Sequence, residues 1–186
     1  MDGILRKLPI GIQTFEKLRE GDYLYVDKTA LVWRIASTET PYFLSRPRRF
    51  GKSLLLSTFE AYFEGKKELF EGLAIADMEK EWKTYPLFHL DLNAEKYDSP
   101  QALVEILSRQ LTQWELKYGK GEDEETLSGR FAGVIRRACE QSGRGVVVLV
   151  DEYDKPLLQA LGDDALLDDY RKTLKAFYGV LKSSDR

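Results

Sequence analysis

One cysteine in 186 residues, Cys139, leaves no partner for an internal disulfide, which suits a reducing compartment. Cys139 falls in a helical pattern and reads as a small packed residue rather than a reactive thiol. An excess of basic charge is also lacking. Lys and Arg number 28 against 31 Asp and Glu, a net charge of −3, so no global positive field draws in nucleic acid or a membrane surface. The opening MDGILRKLPIGIQTF holds no uninterrupted apolar stretch of the kind a signal peptide needs. The longest aliphatic run, Val146 to Val150, is far too short to span a bilayer. Repeats, low-complexity tracts and Pro/Gly/Ser linkers are missing too. What is left, 43% hydrophobic and 32% charged, predicts one globular cytoplasmic domain over residues 1–186, long enough to bury a core.

Three apolar runs read as strands: Tyr42 to Leu44, Leu87 to Leu92, and Val146 to Val150. The last is apolar at every position, which predicts a strand buried on both faces, as in a parallel sheet covered by helices. Helical stripes lie between them. Leu55, Phe59, Tyr62 and Phe63 follow Lys52. Ser99-Pro100 gives a cap and an N-terminal proline ahead of Leu103, Ile106, Leu107, Leu111 and Trp114. Leu127, Phe131, Val134, Ile135 and Ala138 form a third stripe, weakened by Gly129 and Gly133. A fourth runs from Leu166 through Tyr170, Leu174 and Phe177 to Leu181. Strands alternating with helices predict an α/β layered fold. The acidic run Glu122 to Glu125 reads as a solvated loop at a helix start, and Trp33, Trp82 and Trp114 as core.

The strongest local signal is Arg46-Pro47-Arg48-Arg49-Phe50-Gly51-Lys52-Ser53, which follows an apolar run and opens a helix, the setting of a P-loop. Backbone N–H groups from Arg48, Arg49, Phe50, Gly51, Lys52, Ser53 and Leu54 would converge on phosphate oxygens, helped by the helix dipole. Lys52 would set its ammonium on the β- and γ-phosphates, and the Ser53 hydroxyl would ligate Mg²⁺. Gly51 would let the backbone approach the phosphates closely. The usual first glycine, five positions before Gly51, is Arg46 here. Arg46, Arg48 and Arg49 form a basic cluster with two readings: extra phosphate neutralisation or contact with an acidic partner surface, or solvated charges whose stems lie on the fold. Three arginines are too few for a nucleic-acid footprint.

A second motif supports the first. Val146 to Val150 runs into Asp151-Glu152, as a Walker B strand does, and a carboxylate there sits where α/β sheets bind ligands. Asp151 would hold Mg²⁺ directly or through water, and Glu152 would act as general base toward the attacking water. About a hundred residues separate Gly51 from Asp151, room for the strand Leu87 to Leu92 and two helices. An extra strand in that interval, with glutamate following the aspartate, fits the additional-strand, catalytic-glutamate class of P-loop proteins.

The segments LPIGIQTFEKLREGDYLYVDKTALV, YFLSRPRRFGKSLLLSTFEAYFEG and VVVLVDEYDKPLL resemble the AAA-ATPase-like family of bacterial proteins, from about Leu8 to the end. The resemblance implies a P-loop NTPase fold, three-layer α/β/α with a mostly parallel sheet, binding ATP and Mg²⁺. It also implies that a nuclease-like domain of the restriction-endonuclease type often follows; the proline-arginine-arginine before Gly51 resembles archaeal-type and signalling P-loop ATPases as well, and Arg46 in place of glycine is typical of that kin. In the resembling class a further strand, carrying a polar sensor residue, follows the helix ending near Leu181. Lys182 to Arg186 is too short and polar to form it, so the expectation is the N-terminal part of a longer ATPase, truncated before the sensor strand. Residues 8–35 would adjoin the adenine site, with Tyr25 or Ile12 lining it or else packing in the core. Asp27 is a candidate helix N-cap. Asp91 either reaches the metal or the water or makes a structural hydrogen bond; His89 reads as packed.

The leading function is ATP hydrolysis that powers or gates a partner domain, with Glu152 and Lys52 as the catalytic pair. The alternative is a nucleotide-operated switch with little turnover. A small-molecule kinase fits less well, because Glu152 favours attack by water and neither an acceptor pocket nor lid arginines are identifiable.

Overall fold

The computed structural model describes residues 6–38, 40–45, 47, 49–93 and 96–183. They fall into two compact units, 1–85 and 86–186.

The first unit is helical: α1 (Phe15–Glu20), α2 (Thr29–Ala36), α3 (Lys52–Phe63), a 3₁₀ turn at Lys67–Phe70, and α4 (Ala74–Met78). Each helix is short and marginal alone, so its stability comes from packing. Phe15, Leu18, Val32, Phe70 and Ile75 are the fully buried apolar residues of the unit. The Phe15 and Phe70 rings lie 4.8 Å apart, and Trp82 adds a ring 5.1 Å from Phe70. The two central helix starts are fixed by one pair of side chains. Asp27 Oδ1 accepts from the Thr29 amide (2.8 Å) and hydroxyl (2.7 Å), while Oδ2 accepts from the Ala74 amide (2.7 Å). Thr29 Oγ1 in turn accepts from the Ile75 amide at 3.1 Å. Lys28 holds the formal cap position of α2, one residue later than expected, yet Asp27 still takes the first free amide. Burial pushes the Asp27 carboxyl up, but the hydrogen bonds from Ala74 and Thr29 outweigh it and hold it below the usual carboxylate range.

The second unit is α/β. Its elements are β1 (Leu87–Asp91), α5 (Pro100–Tyr118), α6 (Leu127–Ser142), β2 (Val147–Asp151), α7 (Lys155–Gln159) and α8 (Asp164–Ser183). β1 and β2 pair in parallel, Leu87 opposite Val147 through Asp91 opposite Asp151. Parallel pairing needs a crossover, and α5 and α6 supply it. Alternation along β1 sends Phe88, Leu90 and Leu92 into a core built with Leu103, Leu107 and Leu111 of α5, Phe131 and Val134 of α6, and Tyr170 and Phe177 of α8. Phe131 and Phe177 stack with centroids 4.4 Å apart, and Phe88 stacks on Trp114 at 4.7 Å. Ser99 and Pro100 start α5 as the sequence predicts.

Three expectations need correction. Tyr42–Leu44 is not a strand: it is irregular, with Tyr42, Phe43 and Leu44 exposed to 57%, 68% and 42%. A three-residue run between Pro41 and Pro47 has too little ladder to hold itself extended, and both described strands belong to the other unit. β2 is only half-buried at each position, and Val146, Val148 and Val150 pack on the helical core. Trp33 and Trp82 are half-buried rather than core, unlike Trp114.

Glu124 is the fourth departure, since it is not a solvated acid. Its carboxylate pairs with the Arg137 guanidinium, at 2.9 Å for Nη2, with side-chain exposures of only 13% and 15%. It lies over Gly133, where an added Cβ would fall on the carboxylate. The glycine that weakens the α6 pattern therefore makes room for an ion pair. Arg137 holds the Glu124 carboxyl below its ordinary 4.5, against the opposing effect of burial. A depressed carboxyl stabilises the fold above its unfolded value and stops doing so as pH falls through the folded one. Glu124→Gln is expected to cost about 1–3 kcal/mol at pH 7, the range for breaking a charged hydrogen-bonded pair. The melting-temperature gap from the unsubstituted protein should narrow as the buffer is taken below pH 4.5. A gap that stays constant down to pH 3 would show that the pair contributes nothing of its charge.

Candidate functional site

The glycine-lysine-serine segment is built in the first unit. Gly51 is the N-cap of α3 with φ 74, and Arg49, two residues before it, also has positive φ at 66. Left-handed residues are one component of the backbone nests that bind anions. A Cβ on Gly51 would meet nothing within 4 Å, so the visible demand for glycine is its left-handed backbone and not space. Lys52 and Ser53 occupy the first turn of α3, and the Leu55 amide closes onto the Gly51 carbonyl at 3.0 Å. Arg49 and Phe50 are exposed, while Lys52, Ser53 and Leu54 are half-buried. Arg46 and Arg48 lie outside the described residues.

The acidic motif is built in the second unit, at the C-terminal ends of the two strands. Asp91 and Asp151 are register partners, and the Leu92 amide donates to the Asp151 carbonyl at 3.2 Å. Asp151 Oδ1 accepts from the Glu152 amide at 3.0 Å, and Asp91 Oδ1 accepts from the Asn93 amide at 2.8 Å. The structural hydrogen bond foreseen for Asp91 is thus present. Glu152 has φ 52, a left-handed conformation that a side chain with a Cβ adopts only under constraint. The Lys155 amide donates to the Glu152 carbonyl at 3.0 Å and closes that turn.

Two residues here escape a motif reading. Lys155 Nζ donates to the Asn93 backbone carbonyl and, at 2.7 Å, to Asn93 Oδ1. The only sequence hint is position: each lies a few residues past a strand-end aspartate. Of the adenine candidates, Tyr25 sets its ring edge-on to Phe15 at 5.2 Å and is half-buried, as is Ile12. His89 is half-buried on β1.

These are a left-handed glycine opening a helix in one unit and two register-paired aspartates at the strand ends of an α/β unit. Comparison with known proteins gives the class a family. A family model described as predicted AAA-ATPase matches residues 9–186, and the chain belongs to that family. Membership supports a nucleotide-binding role. The chain is also 42% identical over 181 residues to a protein of Azotobacter chroococcum mcd 1 described as uncharacterized and lying in the vnfD 5' region. That match covers 97% of this chain and 35% of the relative, so the chain spans about a third of the relative's length. No solved structure matches. No helix among the described residues is long and apolar enough to cross a membrane.

Proposed function

We propose that the chain binds Mg-ATP and that the protein it represents hydrolyses it to power or gate a partner domain. The observation that carries this reading is the left-handed Gly51, two residues after left-handed Arg49, opening a 12-residue helix whose first residues are Lys52 and Ser53. That backbone suits phosphate oxygens, and the side chains that follow suit the charge and metal of a nucleotide. Backbone groups of Arg49 to Leu54, with Arg48 ahead of them, would hold the phosphates. Lys52 would neutralise the β- and γ-oxygens; Ser53 and Asp151 would hold magnesium. The metal, when bound, offsets charge building on the phosphate oxygens. Glu152 would orient the attacking water and accept its proton.

In this reading the fold is a P-loop NTPase of the additional-strand, catalytic-glutamate class, and residues 8–35 adjoin the adenine. The partner domain is of the nuclease-like kind that the family resemblance implies. Calorimetric titration of ATP into the full-length protein tests it. Saturable one-to-one binding is expected with magnesium, weakened at least tenfold by a chelator. No ATP-dependent heat under either condition would overturn the nucleotide-binding reading.

A further inference from the structure

The turn after β1 and the turn after β2 are joined by one side chain. Lys155 comes 62 residues after Asn93, yet its ammonium donates to both the carbonyl and the side-chain oxygen of that residue. Each turn is closed by its own bond, Asn93 N to Asp91 Oδ1 at 2.8 Å and Lys155 N to the Glu152 carbonyl at 3.0 Å. A second bond runs in parallel, from the Tyr97 amide to Gln159 Oε1 at 3.0 Å, so the segment after β1 and α7 are tied at two points.

Glu152, which opens the turn that Lys155 closes, has φ 52. A non-glycine residue in that region is strained and persists only where its surroundings over-determine it. Its restraints include the Asp151 carboxylate on its amide, the Lys155 amide on its carbonyl, and the Lys155 side chain anchored to the neighbouring turn. Lysine suits the anchor chemically. An ammonium offers several donors to the two Asn93 oxygens.

We propose that Lys155 is a positioning residue for Glu152: through its bond to Asn93 it fixes the turn that aims the glutamate's carboxylate. Its catalytic consequence rests on the reading of Glu152 as general base given above; its structural half does not. General-base catalysis needs the carboxylate within hydrogen-bond reach of the water, so a loosened turn costs rate before it costs affinity.

The test compares full-length protein with Lys155→Met, which keeps the apolar stem, and Lys155→Arg, which keeps the charge and donors. Amide hydrogen exchange without nucleotide is the first readout. Exchange at Asn93 and Lys155 should quicken at least tenfold in Lys155→Met, with the α6 core amides unchanged, and return to within about threefold in Lys155→Arg. ATP turnover is the second readout: kcat should fall at least tenfold in Lys155→Met with KM within twofold, and recover in Lys155→Arg. Unchanged exchange at both turns overturns the proposal whatever the activity does. Quickened exchange with unchanged kcat overturns the positioning role and leaves the tether structural. If the unsubstituted protein shows no turnover, the hydrolysis reading falls instead, and the exchange result still decides whether Lys155 holds the Glu152 turn.

Discussion

Lys52→Ala is expected to weaken ATP binding by ten- to more than a hundredfold while leaving the fold intact. Lys52 is half-buried in the first turn of α3, directly after the left-handed Gly51. Removing its ammonium deletes a charge-assisted contact with phosphate, worth about 1.5–3 kcal/mol, and each 1.4 kcal/mol is about tenfold in affinity. Alanine is the better helix former, so α3 itself has no reason to unfold. Calorimetry beside a thermal melt separates the two effects. Equal affinities in both proteins would remove Lys52 from the phosphate site.

Glu152→Gln is expected to abolish turnover, by at least a hundredfold, with ATP affinity within a few-fold of the unsubstituted protein. A general base contributes about 10²–10⁴ in rate, and the amide keeps the size and hydrogen-bonding shape of glutamate without accepting a proton. The Glu152 amide donates to Asp151 Oδ1 and its carbonyl accepts from the Lys155 amide, backbone bonds that the substitution keeps. Phosphate release measured under multiple turnover gives the result. Undiminished release would mean that another group takes the proton from water.

The helical core was legible because its pattern is local. The stripe Leu103, Ile106, Leu107, Leu111 and Trp114 is buried throughout α5, and Leu166, Tyr170, Leu174 and Phe177 do the same for α8. Both strands of the sheet were legible as short apolar runs, and β1 has the alternating burial of a one-faced core strand. Long-range features were not. Whether Tyr42–Leu44 becomes a strand depends on what lies beside it, which three residues cannot encode. Gly133 reads as a flaw in α6 until Glu124 is seen lying on it. Asp27 reads as a local cap, yet its second oxygen reaches Ala74, 47 residues away. The Lys155–Asn93 tether joins residues that share no periodicity, and only the register of β1 with β2 brings them together. For the candidate site the residue types and spacing named Gly51 to Ser53 and Asp151-Glu152; what they could not supply is the backbone conformation at Arg49, Gly51 and Glu152.

The central claim of the proposed function is that Ser53 and Asp151 hold the magnesium of one bound ATP. A double-mutant cycle on ATP affinity in the full-length protein at saturating magnesium, using Ser53→Ala, Asp151→Asn and the pair, tests it most directly. If both residues hold the same ion, the double variant should lose little more affinity than the worse single one, a coupling of about 0.5–3 kcal/mol. Fully additive losses, or no loss from Asp151→Asn, would contradict a shared metal.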